Sequence, residues 1–226
     1  IHNSPIIMSD LHPNLVVLQN KSLLNLFTRV RDQTTSPADF EFYAKRLMTI
    51  LAEETIADLP LATSPTTVST PCSTFTGSFV DTSKICCVSI VRAGDSLLGC
   101  FRSLLPGVSV GKILIQRDES VPSKPAKLFY SKLPPKIESK QVVLCDPMLA
   151  TGGSASKAIE SLVAVGVPAG SIVFSNVVCC PEGLKYLAEK YPEVKIVTAS
   201  IDEGLDEEKY IVPGLGDYGD RFFNTV

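Results

Sequence analysis

Asp146 stands at the end of an apolar run, Val142-Val143-Leu144-Cys145, and five residues later the chain reads Thr151-Gly152-Gly153-Ser154. A helical pattern follows over residues 154–165. The order is strand, acid, small-residue loop, helix N-terminus. Free main-chain N–H groups and the helix dipole at such a junction make a place for a phosphate. Glycines let the backbone come close to the anion, and the hydroxyls of Thr151 and Ser154 add donors. A carboxylate at the strand end can accept from sugar hydroxyls or hold a metal ion through water. One short segment can therefore grip both the ribose and the phosphate of a phosphoribosyl group. Taken alone, the T-G-G-S string also fits an ordinary strand-to-helix turn with serine as cap.

Two arginines follow apolar runs in the same manner. Arg92 ends Val88-Ser89-Ile90-Val91 and is followed by Ala93-Gly94-Asp95; Arg117 ends Ile113-Leu114-Ile115-Gln116 and is followed by Asp118-Glu119. A guanidinium offers a bidentate fork to diphosphate oxygens. Each arginine also has a plainer reading, as an ion pair with its neighbouring acid. Near the C-terminus, Tyr210-Ile211-Val212-Pro213-Gly214-Leu215-Gly216-Asp217-Tyr218-Gly219-Asp220-Arg221 holds three glycines and a proline within ten residues. Such a stretch is neither helix nor regular strand. It is a shaped loop with main-chain groups to spare, able to read the C=O and N–H edge of a pyrimidine. A tail that only packs the C-terminus is the plainer alternative.

These groups need elements to position them. Apolar runs predict strands at 85–91, 112–116, 141–145, 171–178 and 195–200, and helices at 96–105, 154–165 and 181–190. Near-continuous apolar strands separated by helices indicate an α/β fold with a parallel sheet of about five strands, covered on both faces. Ligands of such sheets gather at the carboxyl ends of the strands, where Arg92, Arg117 and Asp146 fall. Upstream, residues 1–36 read as an arm with a short strand or extended piece at 15–18 and a short helix ending near Arg31. Ser36-Pro37 supplies a cap and first-turn proline for a helix over 38–58. Residues 59–78 read as a loop with a hairpin, strands at 66–69 and 75–80. Residues 118–139 leave the pattern, with four prolines and several lysines, as in a lid beside a site or a solvated surface loop; Phe129-Tyr130 fits part of a short hairpin.

Length and composition fit one domain. The chain has 226 residues, 45% hydrophobic and 20% charged, with a net charge of −3. No basic block supports nucleic-acid binding, and no apolar run approaches the roughly 18 residues of a membrane span. No signal peptide is visible, and the start at Ile1 suggests a trimmed N-terminus. Seven cysteines without a C-x-x-C pattern read as buried, reduced thiols of a cytoplasmic protein. Zinc is not expected, because His2 and His12 lie far from the cysteines in sequence.

The string D-P-M-L-A-T-G-G-S resembles the 5-phosphoribosyl-1-diphosphate (PRPP) loop of phosphoribosyltransferases. Most members carry two adjacent acids; Pro147 here looks like the uracil phosphoribosyltransferase branch. I-Q-R-D-E after R-A-G, and Y-I-V-P-G-L-G-D-Y-G-D-R, are similar to that family's patterns and come in the same order. The likeness runs from about Phe40 to the C-terminus. It departs at Asn224, where the family commonly has glycine, and around R-A-G at Asp95, Leu97 and Leu98. The resemblance implies a phosphoribosyltransferase core with an N-terminal arm (1–36), a flexible hood (118–139) and a C-terminal base-binding region (201–226). It implies the reaction of uracil with PRPP to UMP and diphosphate, in pyrimidine salvage. PRPP would be held by Arg92, Arg117, Asp217 and the loop Asp146, Pro147, Met148, Leu149, Ala150, Thr151, Gly152, Gly153 and Ser154. Uracil would be held by Ile211, Gly216, Asp217 and Tyr218. Asp146, Asp217 and Arg117 form the implied catalytic set, with Mg²⁺ carried by PRPP and no direct protein–metal site. Members with such an arm include some that bind GTP as activator; Lys21 and Arg31 are the candidate contacts, beside the reading of a solvated helix face. A homo-oligomer, dimer or tetramer, is expected. Two other classes fit parts of the pattern: a phosphoribosyltransferase for another base, and a regulator that binds PRPP or nucleotide without turnover.

Overall fold

A computed structural model describes residues 11–117 and 126–225, with the backbone alone for Arg117. In chain order the elements are β1 (Leu15–Val17), α1 (Ser22–Arg31), α2 (Pro37–Ala57), β2 (Thr63–Ser69), β3 (Thr74–Val80), β4 (Ile85–Val91), α3 (Gly94–Leu104), β5 (Ser109–Arg117), β6 (Ala126–Lys132), β7 (Gln141–Cys145), β8 (Met148–Leu149), α4 (Gly153–Ala164), β9 (Ile172–Cys179), α5 (Pro181–Lys190), β10 (Lys195–Ile201), β11 (Gly204–Leu205), β12 (Ile211–Val212) and α6 (Tyr218–Phe223). The main sheet runs β1-β10-β9-β7-β4-β5-β6, with β8 added beside β9.

The strands are apolar along their whole length because both faces are covered. Cys87, Val143, Cys145, Val173 and Val197 join one core with α1, α2, α3 and α6. Cys86, Val88, Val142, Leu144, Phe174 and Ile196 join the other, against α4 and α5. Successive residues of one strand thus feed opposite layers, as the period of two requires. The long helix α2 starts at Ser36, whose side chain accepts from the Asp39 N–H, followed by a first-turn proline. It buries Phe40, Leu47, Met48 and Leu51 completely, each stabilising by about 2 kcal/mol.

Strand order fixes where ligands can bind. From β4 the chain passes through α3 to β5 on one side, while from β7 it passes through α4 and β9 to β10 on the other. β4 and β7 are parallel neighbours. The chain therefore changes direction between them, and a crevice opens beyond their carboxyl ends. Arg92 and Asp146 are the first residues after those two strands.

The five expected parallel strands are present, and β1 adds a sixth, Leu15–Val17 pairing parallel with residues 196–198. The N-terminal segment is therefore built into the main sheet, a long-range pairing that a three-residue strand does not signal. Within the expected hood, Ala126–Lys132 forms a strand antiparallel to β5; residues 118–125 lie outside the described residues. Ala-Lys-Leu-Phe-Tyr-Ser-Lys there lacks the alternation of a half-buried strand, and pairing with β5 makes up the difference. The hairpin is longer than expected, Thr63–Ser69 with Thr74–Val80. All seven cysteines are free, and all except Cys72 are buried. No helix among the described residues is long and apolar enough to cross a membrane.

Candidate active site

Asp146 sits where β7 stops. Its N–H donates to Ser175 O at 3.3 Å, and Pro147 O accepts from the N–H groups of Val177 and Val178 at 2.8 and 3.0 Å. The acid is thereby held against β9, and its side chain opens only partly to solvent. One weak contact reaches the carboxylate, from the Met148 N–H at 3.5 Å. Burial with so little compensation pushes its pKa up to about 7, and the Met148 N–H only partly offsets this. Main-chain pairing continues as Cys180 N–H donates to Leu149 O at 3.2 Å. The loop then turns at Gly152, φ +82°, where a Cβ would come 2.8 Å from the Tyr186 ring. A side chain is doubly unfavourable there, by conformation and by contact. Helix α4 begins at Gly153, so its first N–H groups lie beside Ser154 at the cleft.

Arg92 reaches toward the C-terminal helix. Its Nη2 donates to Asp220 Oδ1 at 2.6 Å and its Nη1 to Thr225 Oγ1 at 2.8 Å. The Thr225 hydroxyl, followed by Arg92, lowers the Asp220 pKa. Asp95, the neighbour that sequence offers as partner, is occupied elsewhere: it accepts from Ser89 Oγ at 2.6 Å and Lys112 Nζ at 2.9 Å. Arg92 remains about half exposed at 49%, so its outer edge is open to a ligand.

The C-terminal loop closes the other wall. Asp217 is the N-cap of α6, its Oδ1 accepting from the Asp220 N–H at 2.9 Å. Tyr218 faces inward, not toward the cleft: its hydroxyl donates to Ser96 Oγ at 2.9 Å and Met48 Sδ at 3.2 Å, and its ring stacks on Phe222 at 5.6 Å. Burial raises its pKa well above the ordinary phenol value. What Tyr218 offers a ligand is its main chain. Among the described residues, no hydrogen bond uses the N–H groups of Gly216, Asp217 or Tyr218, or the C=O of Gly216.

These pieces enclose a cleft of about 390 Å³. Of the expected residues it brings together Arg92, Asp146, Met148, Ala150, Ser154, Ile211, Gly216, Asp217 and Tyr218. Ala93, Lys209, Tyr210 and Gly219 also line it. None of these four was among the candidate site residues, although Ala93, Tyr210 and Gly219 stand inside the quoted strings and Lys209 adjoins one. Pro147 and Leu149 are buried under the cleft, where their main chains pair with β9. Thr151, Gly152 and Gly153 lie on the loop outside the lining. Arg117 ends β5, and its side chain lies outside the described residues. Lys21 and Arg31 are not brought together: they bracket the ten-residue α1, roughly 15 Å apart at 1.5 Å per residue. Arg31 is not a solvated surface group either, but is ion-paired with Asp202 at 2.6 Å. A larger cavity, about 530 Å³, lies behind the loop and includes Arg31, Phe40, Gly216 and Arg221. It receives no strand end, so the 390 Å³ cleft is the one equipped for chemistry. No cluster of three or more potential metal ligands occurs among the described residues.

A carboxylate, a guanidinium, a helix N-terminus and unengaged main-chain groups thus share one cleft at the switch point. The family model described as uracil phosphoribosyltransferase matches residues 17–225. The chain belongs to the uracil phosphoribosyltransferase family. It is 47% identical over 213 residues to the uracil phosphoribosyltransferase of Dictyostelium discoideum, covering 94% of this chain and 97% of that protein. Identity to the Saccharomyces cerevisiae uracil phosphoribosyltransferase is 47% over 206 residues, 91% of this chain and 93% of that one. A solved structure, the AQ2163 protein from Aquifex aeolicus, superposes with a TM-score of 0.78 at 32% identity, covering 92% of this chain and 97% of that chain. The α/β fold and the enzyme class expected of a uracil phosphoribosyltransferase, a pentosyltransferase, are those found.

Proposed function

We propose that the cleft transfers the phosphoribosyl group of PRPP to N1 of uracil, releasing diphosphate and forming UMP. The observation that carries this reading is the convergence on one cleft of Asp146, Arg92, the unengaged N–H groups of Gly216, Asp217 and Tyr218, and the unengaged C=O of Gly216. The 5′-phosphate binds at the start of α4, beside Ala150 and Ser154. Asp146 accepts from the ribose hydroxyls. Arg92, with Arg117, neutralises the diphosphate as the bond from C1 to its oxygen breaks, through a transition state with oxocarbenium character. The N–H groups of Gly216, Asp217 and Tyr218 and the C=O of Gly216 match the C=O, N–H, C=O edge of uracil, and Ile211 packs against the ring. N1 then bonds to C1 and gives up its proton. Asp217 is the carboxylate nearest this step; its second oxygen has no partner among the described residues.

Mg²⁺ fits as an ion carried by the substrate. Asp146 supplies one little-engaged carboxylate, enough for a single direct or water-mediated contact, with the remaining ligands coming from substrate oxygens and water. Bound there, Mg²⁺ would supply Lewis-acid stabilisation of the leaving diphosphate. Apolar side chains exposed on the hairpin, Val68, Phe75 and Phe79, support association into a homo-oligomer. For GTP as activator, a phosphate contact on α1 rests on Lys21, since Arg31 is internally paired. The working setting is cytoplasmic pyrimidine salvage. The deciding assay is UMP formation from radiolabelled uracil and PRPP with Mg²⁺, run beside hypoxanthine, adenine and orotate and repeated with GTP. Turnover of another base in preference to uracil would overturn the reading.

A further inference from the structure

We propose that the N-terminal segment is part of the base-reading apparatus, with Arg31 and Arg221 as positioning residues that hold the loop at Gly214 and Leu215. The inference rests on the reading that Gly216, Asp217 and Tyr218 recognise uracil. Arg31, the last residue of α1, donates through Nη1 to Asp202 Oδ2 and to Gly214 O, both at 2.6 Å. Its Nη2 donates to Asp202 Oδ1 at 2.6 Å and Ser200 Oγ at 3.1 Å. Asp202 is buried, 6% exposed, and its Oδ2 accepts from the Gly214 N–H at 2.9 Å. One ion pair therefore takes both main-chain groups of Gly214.

Arg221 holds the next residue. Its Nη1 donates to Leu215 O and Val30 O, and its Nη2 to Asp32 O, all at 2.7 Å. Its guanidinium lies 4.3 Å from the centre of the Phe40 ring. Val30 and Asp32 are at the C-terminal end of α1, where a cation also meets the negative end of the helix dipole. Two consecutive residues are thus tied to the N-terminal segment, and the peptide after them, at Gly216, is left free for the base.

The space behind the loop explains why ties are needed. Gly216 lines both the cleft and the 530 Å³ cavity on the opposite side. Leu215 is packed into the core, but Gly216 after it is exposed and borders open space. Without the two arginines the loop has room to retreat into the cavity, away from the base. Arginine suits the task because its planar fork holds several acceptors at fixed angles, which a lysine ammonium on a flexible stem does not.

The test uses Arg31→Lys and Arg221→Lys in the full chain, which keep the charges and lose the forks. The expected result is a rise in KM for uracil of about a hundredfold, the order for a positioning group displaced by about 1 Å. Discrimination against cytosine should narrow, while calorimetric affinity for diphosphate stays within about twofold of wild type. Unchanged uracil kinetics in both variants would overturn the proposal, as would an equal loss of uracil and diphosphate binding, which marks general loosening. Gly216→Val separates this proposal from the reading beneath it, since a β-branched residue at φ +79° strains the reader itself. Uracil use surviving that change sinks the base-loop reading. Uracil use lost in Gly216→Val but intact in both lysine variants sinks only the positioning role. Should the lysine variants not fold, hydrogen exchange on the wild type decides: the Gly214 amide must be protected before any ligand is added, and free exchange there refutes the tie.

Discussion

Burial of Asp146 has a direct consequence for pH dependence. Its pKa is pushed up to about 7 in the ligand-free protein, first by burial. The carboxylate is the form that accepts from ribose hydroxyls and approaches Mg²⁺. At pH 6 about one tenth of the molecules carry it, and at pH 8 about nine tenths. The specificity constant for PRPP should therefore rise about tenfold between pH 6 and pH 8. PRPP itself titrates near this range, since phosphate groups have a second pKa of about 6. The ratio of wild type to Asp146→Asn removes that contribution, because both enzymes see the same substrate. That ratio should fall about tenfold from pH 8 to pH 6, from a value near a hundred set by about 3 kcal/mol of lost transition-state stabilisation. Stability moves the opposite way. A folded-state pKa raised from 3.8 makes a contribution fully present below about pH 4 and lost progressively up to about pH 7, with an upper bound of about 4 kcal/mol, of which about 1.4 kcal/mol falls between pH 6 and pH 8. Melting temperature of the ligand-free wild type should drop between pH 6 and pH 8, and Asp146→Asn should remove most of that drop. A ratio that is flat across this range, or an Asn variant within about threefold of wild-type turnover, refutes the placement of Asp146 at the ribose.

Further outcomes follow from the other walls of the cleft. Arg92→Ala and Arg117→Ala should each weaken diphosphate binding by about 2 kcal/mol, the worth of a hydrogen bond to a charged group, with KM for uracil little changed; calorimetry and kinetics read the two separately. Cytosine reverses the donor and acceptor at two positions of the uracil edge, so its kcat/KM should be lower by about 10⁴-fold, whereas 5-fluorouracil keeps the edge and should be accepted. Tyr218→Phe removes the bonds to Ser96 and Met48 and should cost about 1 kcal/mol of stability in denaturant titration. Its kcat/KM for uracil should stay at the wild-type level, and a large loss would mean that the ring, not the main chain, meets the base.

The residues after strand ends were legible because each rests on a local pattern. An apolar run followed at once by a charge marks a carboxyl end in a parallel sheet, and this located Arg92 and Asp146 correctly at one rim. Pairings distant in sequence left no such trace. Arg31 and Asp202 are 171 residues apart, and Arg92 and Asp220 are 128 apart; either arginine reads equally well as a surface charge. Tyr218 was legible as part of a shaped loop but not as a core residue, because the glycines around it mask the packing of its ring. β1 was legible as a short strand or extended piece and β6 as part of a short hairpin, but not their partners, because β10 lies far off in sequence and pairing registers leave no local mark.

The pairing of β1 with β10 also constrains how the protein is made. Leu15 lies beside Ile196, so β1 has no partner strand among the described residues until β10 has been made. At about 5–20 residues per second, synthesis of the intervening chain takes on the order of 10–40 s. Through that interval the apolar face of α1, with Leu23, Leu26 and Phe27, is in the hands of whatever chaperones or partial core can cover it. The ties from Arg31 to Asp202 and from Val30 to Arg221 form later still. On the proposed roles of the two loops, the nascent protein can assemble the one at residues 146–154 before the one at 211–218, and so gain the means to hold a sugar phosphate before the means to choose a base.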